Sequence, residues 1–365
     1  MNEKYLQYLK PTVAIAIIIF MGWYFMDIVA YILVATFLSM IGSPAVKRLD
    51  KIRIGKRTIP HNLSAIITLL GILISASLFL ILIVPLIVSQ ANVISSIDEN
   101  SLSEYFAAST QGLYEFLVQY EIVGPNFSLS QYLDEQLVGL IDVAQFTRFF
   151  SNIVSGTGSV IMGIFIIVFL TYYFLVEDNL MKGFLLTLTP ERYTENVEQV
   201  LHDSKFLLVR YFHGILIEVG IMMTIESVGL LIFGVPNAIL IGFLGGMMNI
   251  IPYLGPLIGA LIGVVLAALS VLGLGEYDSL MMTVVTVFAV FAGANLVDNF
   301  VLQPQIYSKS VKAHPVEIFL TIIIGGKLAG IAGMILAIPT YTVIKVIVRQ
   351  VIQRMKLAKY LNKKT

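Results

Sequence analysis

Four ionisable side chains sit where an ionisable side chain is costly. Glu218 and Glu226 lie inside the apolar run from His213 to Phe233. Asp298 lies toward the end of the run from Met281 to Val301, and Lys327 interrupts the run from Val316 to Val348. A charge held at the centre of a bilayer costs about 2.5–3.5 kcal/mol on insertion scales, so such groups face a partner or a watery cavity and mark solute or ion paths. Glu218 and Glu226 are eight residues apart, a little over two helical turns, and share a face. Carboxyls so placed can take up and release a proton or a monovalent cation. The structural alternative pairs Asp298 with Lys327 or makes it a hairpin cap, and lets the glutamates snorkel or bind a neighbour. His213 and Glu317 fall near interfaces and read as structural.

Other chemistries find no residues to carry them. The chain has no cysteine, so disulfides, thiolate metal sites and cysteine nucleophiles are excluded. His61, His202, His213 and His314 show no metal-ligand spacing, and HExxH is absent. There is no Walker A sequence to drive an ATP-dependent pump, and no serine–histidine–aspartate arrangement. We expect no cofactor, no metal and no enzymatic activity. With a formal net charge of zero and no basic face apart from the membrane-flanking clusters, no nucleic-acid partner is expected.

The elements that position these residues follow from composition. The chain is 58% hydrophobic and 13% charged, with mean hydropathy +0.89, against roughly 45–50% apolar and 25% charged residues in soluble domains. A membrane-crossing helix needs about 20 apolar residues. Pro11–Ile41 suits a hairpin of two short helices with Asp27 at the far interface, and its apolar start, which lacks a small-residue cleavage site, reads as a retained anchor. Further spans are Leu63–Val88, Ser151–Val176, His213–Phe233, Val235–Leu274, Met281–Val301 and Val316–Val348. Thr194–Arg210 reads as an amphipathic helix running into the span that starts at His213. Trp23, Tyr24, Tyr172, Tyr173, Tyr211 and Tyr253 fall mostly near span ends, as an aromatic belt would.

Charge bias sets the expected sides. Lys47, Arg48, Lys51, Arg53, Lys56 and Arg57 crowd residues 42–60, and the tail 350–365 is basic without an acid. Both should be cytoplasmic, together with the N-terminus, in a plasma or inner membrane. The stretch from Ala91 to Asn152 is acidic and should lie outside, either as a module of amphipathic helices or as a solvated helical linker. The expected division is therefore 1–90, membrane helices with the basic loop; 91–152, the outer module; 153–210, a membrane helix and a cytoplasmic amphipathic helix; 211–349, the transport core; and 350–365, the tail.

The transport core carries two interruptions. Gly242-Phe-Leu-Gly245-Gly246-Met-Met-Asn249-Ile-Ile-Pro252-Tyr-Leu-Gly255-Pro256 lies within an apolar stretch. Proline removes a helix hydrogen bond and clashes with the preceding turn, so the helix should break here. Gly325-Gly326-Lys327-Leu-Ala-Gly330-Ile-Ala-Gly333, with Pro339 after it, interrupts the last span in the same way. Backbone groups freed at such breaks must be buried in protein or line a cavity. Counting sides, the first hairpin enters from outside and the second from inside, an inverted repeat of the kind whose broken segments meet at a transporter's substrate site. The expected fold is all-α, a polytopic α-helical membrane protein of about eight membrane segments including two broken or re-entrant hairpins. The bland alternative is that glycine and proline only permit close helix packing.

These residues resemble a known family. Gly234-Val-Pro236, the core Asn249-Ile-Ile-Pro252-Tyr-Leu-Gly255-Pro256, Asp298-Asn299 with Gln303-Pro304, His314-Pro315 and the ending Gly325-Gly326…Gly330-Ile-Ala-Gly333-Met334…Ile338-Pro339 are similar to the autoinducer-2 exporter family of bacterial and archaeal permeases. The resemblance covers most of the chain and is strongest from Arg210 to Val348. It implies a permease that forms a homo-oligomer, with members linked to autoinducer-2 export and others resembling sodium–proton antiporters.

The sequence reading is thus a secondary transporter. Its expected substrate site is Asn249, Pro252, Gly255, Pro256, Asp298, Asn299 and Gln303, and its ion-coupling candidates are Glu218, Glu226, Asp298 and Lys327. Its hairpin breaks are expected at Gly245, Gly246, Gly325, Gly326, Gly330 and Gly333. The expected cargo is a small polar solute; the alternatives are a monovalent cation exchanged for protons, and a non-transporting membrane scaffold acting through 91–152. The expected partners are membrane lipid and further copies of the chain.

Overall fold

The computed structural model describes residues 24–54, 57–95, 158–177, 180–187, 189–305 and 314–361. The first crossing of the expected N-terminal hairpin and nearly all of the acidic module at 91–152 lie outside these residues. The described chain is helical apart from a two-stranded hairpin, β1 (Arg53–Ile54) with β2 (Arg57–Thr58), that carries the basic loop. The helices are α1 (Met26–Leu49), α2 (His61–Ser95), α3 (Gly158–Val176), α4 (Leu180–Thr187), α5 (Thr194–Ile232), α6 (Ala238–Met248), α7 (Leu254–Gly273), α8 (Leu280–Val297) and α9 (Pro315–Leu361). Among the described residues, six segments are long and apolar enough to cross a membrane: 28–49, 61–93, 191–232, 254–273, 277–305 and 315–350. The protein is a polytopic α-helical membrane protein.

Two compact units divide the chain, one of residues 1–76 with 156–201 and one of 77–155 with 202–365. In the first unit α1, the start of α2 and α3 meet at small residues. A Cβ on Gly42 would lie 3.0 Å from both Leu175 and Thr68, and Val46, Ala65 and Leu175 form the core there. His61 ties three helix ends together. Its Nδ1 lies 2.8 Å from Asp50 Oδ2 and its Nε2 lies 3.1 Å from the Val176 carbonyl. Burial opposes the Asp50 charge, but the His61 ring bonded to its Oδ2 outweighs it and holds the carboxyl below its usual range.

The second unit holds the interrupted segments. The amphipathic stretch and the span after it form one continuous helix, α5, because no proline or glycine stop separates them. α5 ends at Gly234, whose φ of +70° closes the turn. The long run 235–274 then folds as a hairpin. α6 and α7 are joined by 249–253, where Pro252 cannot donate and Tyr253 takes φ +65°. Its arms meet at glycine. A Cβ on Gly255 would lie 2.0 Å from the Met248 carbonyl oxygen, and one on Gly259 would lie 2.9 Å from that of Gly245. Gly255, Gly259 and Gly263 recur every fourth residue and give α7 a bare face on which α6 lies.

α9 also reverses direction. Ala329 (φ −142°, ψ 26°) and Gly330 (φ +57°, ψ −141°) leave helical geometry. Beyond them Gly333 returns against Gly325; a Cβ on either would lie 2.0–2.4 Å from the other's carbonyl oxygen. Near the open end, Glu317 on the first arm bonds Tyr341 and Lys345 on the second. The first arm, 315–328, is about 21 Å long at 1.5 Å per residue, short of a hydrocarbon core about 30 Å thick.

Candidate functional site

α5 supplies the base of the site. Its buried face reads Tyr211, Ile215, Glu218, Met222, Glu226, Leu230, spaced by three or four residues. α6 lies against this face backbone to backbone. A Cβ on Gly242 would meet the Ser227 amide nitrogen at 2.2 Å, and one on Gly246 would meet that of Met223 at 2.3 Å. These pairs run in opposite directions along the two helices, so α6 is antiparallel to α5. Gly245, one position from Gly246, leaves the volume that the Glu226 carboxyl occupies: a Cβ there would sit 2.5 Å from Glu226 Oε2 and 2.3 Å from the Phe291 ring.

The turn of the first hairpin and the end of α8 close the site. Asn249 follows α6 directly, donates from Nδ2 to the Gly245 carbonyl at 3.3 Å and lies beside the Glu226 carboxyl. α8 ends in a π-helical turn over Asp298–Leu302, a widened turn often found at functional positions. Just beyond it Gln303 Nε2 donates back to Asp298 Oδ2 at 2.7 Å. Asp298 lies close to Glu218 and Glu226. The exposures are 1% for Glu218, 2% for Glu226, 1% for Asn249 and 0% for Asp298. Glu226 Oε2, Asn249 Oδ1 and Asp298 Oδ1 are buried without a hydrogen-bond partner among the described residues. Leaving a buried polar atom unmatched costs about 1–3 kcal/mol each. All three are oxygens, so the site accepts hydrogen bonds or positive charge.

Most of the residues singled out in the sequence converge here. Glu218, Glu226, Asn249, Asp298 and Gln303 form the cluster; Pro252 and Gly255 are buried at the hairpin turn, and Pro256 is half-buried in the first turn of α7. Asn299 is placed elsewhere. It is exposed and bonds Asn295 at 2.9 Å, because the next position round a helix points about 100° away from Asp298. Lys327 is exposed beside the reversal of α9, whereas Asp298 takes its hydrogen bond from Gln303. Gly245 and Gly246 are not the break. They are helical within α6, where their missing side chains admit Glu226 and Met223, and the break follows at 249–253. Gly325, Gly326 and Gly333 likewise lie on the arms of the second hairpin, and Gly330 alone of these glycines adopts the reversing backbone. Tyr211 is no belt residue; it is buried and faces Glu218.

Sequence reasoning passed over Phe291 and Gln90. Nothing distinguishes Phe291 from other apolar positions of α8. Gln90 could have been found as an uncharged polar residue in an apolar helix. It is fully buried, and its Oε1 accepts from Asn237 Nδ2 at 2.5 Å and Ser270 Oγ at 3.0 Å while its Nε2 donates to the Leu266 carbonyl.

Comparison with known proteins agrees with this architecture. The AI-2E family transporter model matches residues 13–353. The chain is 35% identical to "Putative transport protein YrrI" of Bacillus subtilis over 49% of this chain and 48% of that one. It is 26% identical to "Putative transport protein YueF" of the same organism over 70% of this chain and 73% of that one. It is 24% identical to "Putative transport protein MJ1177" of Methanocaldococcus jannaschii over 91% and 93%. The chain thus spans about half of the first of these relatives and most of the other two. With its interrupted apolar segments and its match across nearly the whole sequence, the chain belongs to the AI-2E transporter family and is a multi-pass membrane transporter.

Proposed function

We propose that this chain is a proton-coupled secondary transporter that exports a small hydroxylated solute of the autoinducer-2 kind across the plasma membrane. One observation carries the reading. Three carboxyls and an amide from three different elements are buried together at the turn of a broken hairpin, and their unmatched atoms are all acceptors. A solute rich in hydroxyl donors complements such a surface, and carboxyls that lose and regain protons can drive its release. Asn249 and Glu226 face the solute from the hairpin turn and from α5. The two hairpins enter the membrane from opposite sides, as in transporters built from inverted repeats. Both termini are cytoplasmic, and the chain works as a homo-oligomer.

A second reading, exchange of sodium or lithium for protons, is favoured by the concentration of three carboxyls at one place. Purified protein in liposomes with a trapped pH dye separates the two. Export predicts that labelled autoinducer-2 moves in response to an imposed proton gradient and that Asn249→Ala or Glu226→Gln lowers the rate at least tenfold. A pH change driven by a sodium or lithium gradient, with no movement of labelled autoinducer-2, would replace the first reading by the second.

A further inference from the structure

His61 stands apart from the carboxyl cluster, where the end of α1, the start of α2 and the end of α3 meet within the first unit. The Pro60 carbonyl accepts from the Leu63 and Ser64 amides at 2.9 and 3.0 Å, which starts α2 and sets the place of the ring that follows. Both nitrogens of that ring face acceptors. Nδ1 lies 2.8 Å from Asp50 Oδ2, and Nε2 lies 3.1 Å from the Val176 carbonyl oxygen. A neutral imidazole has one N–H and one lone pair, so it can satisfy only one of two acceptors. A ring that satisfies both carries two N–H groups and a positive charge. The surroundings favour that form. Val176 is the last residue of α3, and a helix C-terminus attracts positive charge. Asp50 Oδ1 is buried with no hydrogen-bond partner among the described residues, so the carboxylate leans on His61. The other charged groups described at the junction are Lys47 and Arg48 in the last turn of α1, Lys51 and Arg53 after it, and Glu177 directly after α3. These five are exposed and screened by water, whereas Asp50 touches the ring.

We propose that His61 is a proton-binding site in its own right, and that the proton it takes beyond the neutral ring fastens the end of α3 to the ends of α1 and α2. That proton occupies a ring nitrogen's lone pair, and its departure to water leaves one N–H. The remaining N–H stays on Nδ1 against the Asp50 carboxylate, the stronger acceptor. The Nε2 lone pair is then left 3.1 Å from the lone pairs of the Val176 carbonyl oxygen, and this contact opens. The fastening is complete while the ring is charged and is lost as rising pH removes the proton. On the acid side it persists until Asp50 is protonated, which lies below the usual carboxylate range. Imidazole is the side chain whose charge changes near neutral pH. The His61 side chain is 42% exposed, so it exchanges protons with water directly. From Val176 the chain continues through α4 to α5, the helix that carries Glu218 and Glu226. On the topology given above the ring faces the cytoplasm, and the site adjusts the transporter to cytoplasmic pH. That role rests on the transport reading; the proton count does not.

Nitrogen NMR of purified full-length protein counts the protons on the ring. His202→Gln, His213→Gln and His314→Gln together leave His61 as the only histidine, and size exclusion in detergent checks folding. In this background both ring nitrogens should carry hydrogen below about pH 6, and Nε2 should be the one that loses it as the pH is raised. Asp50→Asn removes the charged acceptor. It should lower the pH at which the second proton leaves by about half a unit, the scale of a partly exposed ion pair. A neutral ring that keeps its hydrogen on Nε2, or a titration that Asp50→Asn does not move, overturns the site. If Asp50→Asn fails to fold, the nitrogen that keeps the hydrogen still decides it. In liposomes, the transport rate of His61→Gln relative to wild type should change about threefold between about pH 6 and pH 8, because the variant has no proton to lose. A constant ratio removes the site from regulation. If the wild type moves no cargo, the transport reading falls while the spectrum still decides the proton site.

Discussion

The two hairpins of the second unit are built on the same plan and held in opposite ways. Both are pairs of helical arms packed through glycine, and both turn where the backbone leaves helical geometry. The turn of the first is enclosed: Asn249, Ile251 and Pro252 are buried, and the arms are fastened to α5 through Gly242 and Gly246 and to α2 through Gln90. Val93 closes on Gly273 at the far end, and the Phe79 ring lies tilted against that of Phe243, 4.9 Å between centroids. The turn of the second stands clear, with Leu328 79% exposed and Ile331 69% exposed, and its ion-paired network lies at the other end, between Glu317, Tyr341 and Lys345. A segment fastened along its length can form the fixed wall of a site. A segment tied at one end is free to swing at the other, as alternating access requires of one repeat.

Substitutions at the glycines should separate the hairpins most sharply. Gly242→Ala places a methyl 2.2 Å from a backbone nitrogen of α5, which cannot yield as a side chain would. A loss of about 3 kcal/mol or more is expected, read as collapse of the folded peak in size exclusion. Gln90→Ala leaves the Asn237 and Ser270 donors without their acceptor and should cost about 1–3 kcal/mol, lowering the melting midpoint in detergent. Gly330→Ala meets no atom within 4 Å, so its penalty is backbone strain alone at φ +57°, about 1–2 kcal/mol. It should slow transport more than it lowers the melting midpoint, because the strained residue is the reversal itself. Equal effects of Gly242→Ala and Gly330→Ala on folding would erase the comparison.

The smaller effects sharpen it. The chain lacks cysteine, so single cysteines report accessibility without background. Leu328→Cys should react with a membrane-permeant maleimide, and Ile251→Cys should not; labelling of both would mean that the first turn opens as readily as the second. Lys345→Ala should change the melting midpoint least, since Glu317 and Lys345 are substantially exposed and such pairs contribute little. Its effect should appear as an altered transport rate if the network latches the second hairpin.

The membrane setting, the presence of both interruptions and the candidate carboxyls were legible without a structure, because each depends on local chemistry. A run of apolar residues is long enough to cross or it is not, proline has no N–H to donate wherever it lies, and a glutamate in such a run is conspicuous without knowledge of its neighbours. Helix period also placed Glu218 and Glu226 on one face. Period could not show that Asn299 turns away while Gln303, further along a widened turn, reaches back to Asp298. Nor could it show that Gly245 is the space beneath Glu226 rather than the site of a break. Gathering Glu218 and Asp298 into one buried cluster joins residues eighty positions apart, and the Gln90 network joins α2 to a hairpin almost 150 positions later. Such partnerships are settled by how closely glycine lets two backbones approach, and that distance exists only once the helices are packed.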